Sequence, residues 1–186
     1  MTIRKTLLHF FILVFCFFAG SGLANAKLIA FADELNEYLG IFQQLYSSDD
    51  LKVKIEVIYP RIIKNYKAFI KKYPKSHLVD DAKLRIAEFY KLSRATRGEE
   101  ELFPGIKFDK NSRKKANHWL KDIVVNHPNG KISDPTSRED LNEPTAAFAL
   151  YYLYAWNSGD KRYLKELIKK YPNSKLIRGM YVMPRE

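Results

Sequence analysis

Two groups of neighbouring carboxyl side chains are the first candidates for chemistry in this sequence: Asp80 with Asp81, and the glutamates at 99–101. Two carboxyl groups can divide acid and base roles only where different surroundings separate their pKa values. The glutamates lie among turn-forming residues. The aspartates lie where a helix is expected to begin, and the helix dipole favours acidic side chains there. We therefore expect both groups to be solvated and to have no catalytic role.

The histidines and the single cysteine offer little more chemistry. Beyond the N-terminal segment the histidines are His77, His118 and His127, and no two are four residues apart, so a metal site on one helix is not predicted. Cys16 is the only cysteine, and the sequence has neither a Gly-rich phosphate loop nor a G-x-S-x-G motif. The sequence predicts a protein that is not an enzyme and that uses no metal or cofactor. Catalysis would require His118 to lie beside a carboxylate in a pocket.

The most apolar segment after the N-terminus is "AAFALYYLYAW", residues 146–156. A helix that is apolar on every side is buried on several sides, and this one is too short to cross a bilayer. We expect it to form a central layer of the core. Most aromatic residues of this segment are expected to pack in the core. Amphipathic aromatic residues are also enriched at protein interfaces, so a minority that faces a groove, Tyr151 or Tyr154, is the predicted partner contact, with Trp119 a weaker candidate.

The chain is strongly basic, with a formal net charge of +11. A positive surface attracts anionic partners, and salt weakens the attraction. The motifs of nucleic-acid recognition are missing, and we expect no nucleic-acid partner. One alternative function is docking on anionic lipid or cell-wall polymer. The four residues that would carry it are Lys71, Lys72, Lys169 and Lys170.

Residues 1–26 have the layout of a secretory signal, with Arg4 and Lys5 before an apolar run and "ANA" at its end. We expect cleavage after Ala26 and a periplasmic or otherwise exported protein. An uncleaved signal that anchors the chain to a membrane is the alternative. Phe15 is bulky where a lipoprotein signal carries a small residue, so lipid modification of Cys16 is not predicted. The remaining residues, 27–186, suit one domain.

Apolar residues recur at helical spacing along most of the chain, and no segment alternates as a strand does. Proline, glycine and short polar side chains mark the helix ends. Pro60 falls inside one helix, where its missing N–H predicts a kink or a restart. The expected helices cover residues 28–46, 51–72, 79–96, 112–126 and 144–156, with a last helix between Asp160 and Tyr171 and long connections over 97–110 and 127–144.

One sequence motif that ends a helix occurs three times. "KAFIKKYPKSHLV" at 67–79 and "KELIKKYPNSKLI" at 165–177 share eight of thirteen positions, and "KDIVVNHPNGKIS" at 121–133 is a weaker copy. Proline disfavours helix in the residue before it, so each helix stops there. The pairs that mark these endings are Tyr73 with Pro74, His127 with Pro128, and Tyr171 with Pro172. The pattern predicts helix pairs that stack on their neighbours.

These motifs resemble the tetratricopeptide-repeat superfamily, in the divergent form of exported bacterial envelope proteins. Ala116, Leu120 and Pro128 fit the spacing A-x3-F-x7-P with Leu in place of Phe, although the three prolines are not one regular repeat length apart. The resemblance covers residues 60–177. It implies an all-α fold of stacked antiparallel helix hairpins in a short right-handed solenoid. It also implies a scaffold that binds an envelope protein or peptide in a groove, in outer-membrane assembly or envelope maintenance.

Overall fold

The computed structural model describes residues 22–94, 99–136 and 143–177, without the side chains of 22–28, 99 and 100. Residues 1–21, which hold most of the expected signal, lie outside this description. The chain divides into two units, Met1–Glu37 and Tyr38–Glu186. In the first unit the described residues belong to one helix, and no helix among the described parts of the chain is long and apolar enough to span a bilayer.

The elements of the described chain are helical, as predicted, apart from one isolated antiparallel bridge between Lys131 and Pro144. A 3₁₀ turn covers Gln44–Ser47, and a π-helical segment covers Lys54–Ile58. The α-helices are α1 Gly22–Gln43, α2 Leu51–Val53, α3 Tyr59–Lys72, α4 Val79–Leu92, α5 Glu99–Leu102, α6 Ser112–Asn126, α7 Thr145–Trp156 and α8 Lys161–Lys170.

Before Pro60, where the sequence predicts a kink or a restart, the helical backbone continues through the π-helical segment without a break. Asp50 caps the preceding turn by accepting the N–H of Val53 at 3.0 Å. The N–H of Tyr59 then bonds to the carbonyl of Lys54, five residues back, and Pro60 occupies the first turn of α3. Because proline has no N–H to donate, the regular ladder of i→i−4 hydrogen bonds is interrupted at this point.

The three repeated helix endings have nearly the same backbone geometry. Tyr73, His127 and Tyr171 have φ between −131° and −123° and ψ between 48° and 60°. Each donates its N–H to the carbonyl four residues earlier at 2.8–2.9 Å. The Tyr171 phenol also donates to the Pro128 carbonyl at 2.8 Å, which ties the third ending to the second.

The main core forms where neighbouring helices pack: α3 on α4, α4 on α6, α6 on α7 and α7 on α8. Helix α7 also touches α4, and seven of its twelve residues are buried, as expected for a central layer. Small side chains at Ala87, Ala116 and Ala147 let the helices approach closely. The turn between α7 and α8 uses Gly159 at φ 73° and an Asp160 cap that accepts the Arg162 N–H.

Several boundaries differ from the sequence expectation. Helix α1 covers Gly22–Gln43 instead of residues 28–46, and a 3₁₀ turn follows it. Helix α4 ends at Leu92 instead of near Thr96, because the Ser93 hydroxyl bonds back to the Phe89 carbonyl at 2.7 Å and the chain then turns. The connection expected over 97–110 contains the short helix α5. Asp109 closes this connection by donating its N–H to the Ser93 carbonyl at 3.1 Å.

Candidate functional site: a lysine-lined groove

Three adjoining concavities of about 630, 610 and 540 Å³ run across α3, α4 and α6. The first two share Lys67, Tyr90 and Lys115, and the last two share Lys114 and His118, so they form one strip. We call this strip the lysine groove. Its cationic side chains are Lys64, Lys67, Lys107, Lys110, Arg113, Lys114, Lys115 and Lys121, against the carboxylates of Glu56 and Asp109.

The middle of the groove is an aromatic cluster held by lysines. Lys67 Nζ donates to the Tyr90 hydroxyl at 3.0 Å and lies 5.7 Å from the Trp119 ring centre. Lys115 Nζ lies 5.5 Å from the centre of the Tyr90 ring. Ammonium groups at this distance from an aromatic ring are attracted to its face. The cluster thus presents two positive charges over a half-buried aromatic surface.

The end of the groove near the π-helical segment has an apolar floor, formed by Ile55, Pro60 and Ile63. We call it the apolar end. Both groove carboxylates lie here, and each is held by the chain itself. Glu56 accepts the Lys107 N–H at 2.9 Å, and Asp109 accepts a bond from Lys115 Nζ at 2.7 Å, which raises the pKa of that lysine.

The opposite, cationic end lies along the outer side of α6. It is lined by four cationic side chains with Asn117 and His118, and no carboxylate stands among these lining residues. Asn117 is fixed by reciprocal side-chain bonds with Asn157 at 2.8 and 3.2 Å. Arg113 bonds to the same Asn157 at 3.2 Å. The turn after α7 therefore anchors two of the residues that shape this end.

The predicted partner aromatics do not meet at one place. Trp119 lines the groove, with its ring partly packed on the core. Tyr151 is half-buried against the core and lies 5.9 Å from Tyr152 between ring centres. Tyr154 lies beside Gly159 in the turn after α7. Among the described residues that line the groove, neither Tyr151 nor Tyr154 occurs, and their partner role stays a prediction.

The interpretation of Asp80 and Asp81 as solvated residues is wrong. Both are buried, at 4% and 2% exposure. The connection after α6 returns across the start of α4, where the Ser133 N–H donates to Asp81 at 2.9 Å. The Asp80 carboxyl packs so closely against Gly130 that a Cβ atom at position 130 would overlap it. The polar residues at the start of α4 are therefore covered by the connection around Gly130 and Ser133, about 50 residues later in the chain.

Asp81 belongs to a buried polar cluster centred on Arg85 and Asp134. Arg85 Nε donates to Asp134 Oδ2 at 2.8 Å, and its other nitrogens bond to Glu88 and to Thr136. Burial opposes the charge on Arg85, but the neighbouring carboxylates Glu88 and Asp134 raise its pKa above the ordinary value. Buried charges need such pairing to persist. We assign this cluster a role in joining the elements.

Burial sets the protonation of the acids in this cluster. It raises the pKa of Asp81 to about 8, helped by the nearby charges of Asp80 and Asp134 and opposed by the Ser133 hydrogen bond. Burial also raises the pKa of Glu88, which accepts from Tyr152 at 3.2 Å. In the parts of the chain that the structure describes, no group of three or more acidic, His or Cys residues is arranged to hold a metal ion.

The remaining predicted residues lie at helix ends. Lys71, Lys72, Lys169 and Lys170 are exposed in the last turns of α3 and α8, and Lys170 pairs with Glu166 at 2.6 Å. His127 lies 2.7 Å from Lys83 Nζ through Nε2, so this ending has a polar contact in addition to packing. His118 is exposed on the groove and forms an edge contact with Trp119, with ring centres 6.0 Å apart.

Most residues of the lysine groove are not predicted as site residues by the sequence. Lys67, Tyr90 and Lys115 come from three different helices, so no local motif joins them. The available signal was the density of cations around Trp119 in "KFDKNSRKKANHW", residues 107–119. As a set, these residues can attract and orient anionic groups over an aromatic floor.

Comparison with protein-family models gave no match, and neither curated proteins nor solved structures gave a significant one.

Proposed function

We propose that this chain is an exported, non-catalytic scaffold that binds a segment of an envelope protein in the lysine groove, in outer-membrane assembly or envelope maintenance. Its helix pairs would stack as a short right-handed solenoid of the tetratricopeptide type. The observation that carries the proposal is the groove itself, a continuous strip built by three packed helices with half-buried aromatics in its middle. Grooves formed by stacked helix pairs are the usual binding surfaces of helical-repeat proteins.

The groups in the groove favour binding over catalysis. Acid–base chemistry requires a titratable group in contact with a reactant. The acids with raised pKa values, Asp81 and Glu88, belong to the buried cluster around Arg85 and not to the groove lining. At the cationic end His118 has lysines and an amide as its lining neighbours. This arrangement can hold a ligand by charge and contact.

Site-specific photo-crosslinking tests the groove as the binding surface. A photoreactive phenylalanine analogue is placed at His118 in the groove, or at His77 outside it, and both positions are exposed. After irradiation in envelope extract, a discrete protein adduct should form at position 118 and not at position 77. Equal adducts at both positions, or none at 118, would contradict the groove assignment.

A second function is docking on anionic lipid or cell-wall polymer through Lys71, Lys72, Lys169 and Lys170. The observation in its favour is that all four side chains are exposed at helix ends. Cations in a last helical turn are also explained by the helix dipole. Binding to anionic vesicles that is lost with Lys71→Glu and Lys169→Glu, and that weakens with salt, would support this function. Vesicle binding that is unaffected by the two substitutions and by salt would contradict this second function.

A further inference from the structure

The two ends of the lysine groove differ in chemistry, and this difference predicts the composition of what binds there. At the apolar end Ile55, Pro60 and Ile63 form the floor, and both groove carboxylates lie there. At the cationic end four positive side chains line the groove without a carboxylate among them. Positive potential therefore increases along the groove, while apolar surface decreases.

We propose that the lysine groove binds an extended acidic peptide segment whose carboxylates lie at the cationic end and whose apolar side chains lie on the floor of the apolar end. This inference rests on the proposed function and names the ligand class for it. The segment crosses the Tyr90–Trp119 cluster in the middle. There a carboxylate of the segment competes with Asp109 for Lys115, whose Nζ lies 2.7 Å from the Asp109 carboxylate.

The dimensions suit a peptide strand. Asn111, which precedes α6, and residues 112–121 of α6 follow the groove, and at 1.5 Å rise per residue this stretch is about 15 Å long. An extended chain rises about 3.3 Å per residue, so four to five residues cover the α6 stretch. Lys114 and Lys121 lie about two helical turns apart on one face of α6, so their charges follow the groove axis.

The shape and the floor of the groove favour an acidic peptide over other anions. A flat membrane surface would contact the rim of a concave strip and leave the Tyr90 and Trp119 rings uncovered. A phosphate polymer would satisfy the lysines but has no apolar group to place on Ile55 and Ile63. Apolar side chains of a ligand would lose contact with water against Pro60, which is exposed, and against the small exposed parts of Ile55 and Ile63. An acidic segment with apolar side chains therefore makes favourable contacts at both ends of the groove.

Fluorescence anisotropy with labelled synthetic peptides tests the proposal. The first probe is about ten residues long, with a glutamate block beside a leucine-rich block. The second probe replaces every glutamate by glutamine. Each is titrated with the full chain and with the groove variant Lys114→Glu/Lys121→Glu. A matched control, Lys71→Glu/Lys169→Glu, changes the net charge equally on exposed helix positions outside the groove.

The acidic probe should bind, and the groove variant should weaken it by about tenfold or more, which corresponds to about 1.4 kcal/mol. The control variant should change binding by less than about twofold, since exposed charges outside the groove interact weakly. Circular dichroism of both variants establishes that they are folded. The glutamine probe should bind at least about tenfold more weakly than the acidic probe.

Other outcomes separate the two proposals. Equal binding of the glutamine and acidic probes would show that the ligand need not be acidic, which overturns this inference. The crosslinking result would then decide whether the groove is the binding surface. Competition by polyphosphate at least as strong as by unlabelled acidic peptide would assign the groove to a phosphate polymer. Equal effects of the groove and control variants would reject the lysine groove as the binding surface, and the proposed function would fail with it.

Discussion

The Tyr38 hydroxyl lies 2.8 Å from Asp134 Oδ2, although the two residues are 96 positions apart in the chain. Tyr38 is fully buried, and burial raises its pKa well above the usual value, with Tyr66 and Asp134 adding to the effect. The phenol therefore stays protonated and donates to the carboxylate. This bond joins the end of α1 to the connection after α6.

Replacing Tyr38 by Phe should lower the free energy of unfolding by about 1.5–3 kcal/mol, the range for a hydrogen bond to a charged group. The change removes the donor to Asp134 and keeps the ring. Urea denaturation followed by circular dichroism measures the effect. Tyr46→Phe is the control because Tyr46 is 74% exposed, and it should be neutral. Equal stability of the two variants would contradict the role assigned to the bond.

The buried carboxyl of Asp81 should give the fold a measurable pH dependence. Its folded-state pKa of about 8 exceeds the ordinary value, so the folded protein holds a proton that the unfolded chain releases. Its contribution is fully present below about pH 4 and is lost as the pH rises to about 8. Asp81→Asn has nearly the shape of the protonated carboxyl group and does not titrate. The unfolding free energy of the variant relative to wild type should therefore increase from about pH 4 to about pH 8. A constant difference between the two proteins from pH 4 to 8 would rule this out.

His127 should act on stability with the opposite sign. Burial, with the adjacent Lys83 charge, lowers its folded-state pKa. Its contribution is present above the unfolded value of about 6.5 and is lost as the pH falls through the lowered folded value. His127→Tyr introduces tyrosine, which stands at the other two helix endings as Tyr73 and Tyr171, and it removes the titrating imidazole. The variant should lose less stability than wild type on acidification below about pH 6.5, as thermal unfolding would show.

Gly130 should not tolerate alanine. A Cβ atom at this position would overlap the carboxyl group of the buried Asp80 and approach the His127 carbonyl. We expect Gly130→Ala to cost about 1–3 kcal/mol of unfolding free energy, the range for overpacking a core. Gly105→Ala is the control, since a Cβ there meets no atom within 4 Å.

A double variant distinguishes this overlap from a general effect of alanine. Asp80→Ala removes the carboxyl that Gly130→Ala would meet. The cost of Gly130→Ala should therefore be much smaller in the Asp80→Ala background, which a double-mutant cycle measures. An unchanged cost in that background would place the cause elsewhere, in the backbone of the turn.

The sequence predicts the helix ends because they depend on local chemistry. Pro74 and Pro172 stop α3 and α8 at the residue before them, and Asp160 caps α8 as its position indicates. The burial of Asp80 and Asp81 depends on Ser133 and Gly130, which reach them only after the chain returns. The sequence pattern of acidic residues at a helix start is the same whether the folded protein exposes them to water or covers them with a loop.

The lysine groove illustrates the same limit for binding surfaces. The sequence indicates Trp119 as an aromatic candidate, but its neighbours Lys67 and Tyr90 come from other helices. Their proximity follows from how α3 and α4 pack on α6, which periodicity alone does not determine. Lys71 and Lys169 are easier to identify from the sequence because they lie in the repeated segments at 67–79 and 165–177.

The Arg85–Asp134 cluster also bears on how the chain loses its structure. In a simple array of repeats each unit touches only its neighbours, so the ends can melt independently of the middle. Here Asp134 joins Tyr38 from α1 to Arg85 from α4, and Glu88 extends the network to Tyr152 on α7. Opening any one of these elements breaks bonds held by the others. We therefore expect the end of α1, helices α4 and α7, and the connection after α6 to lose their structure together.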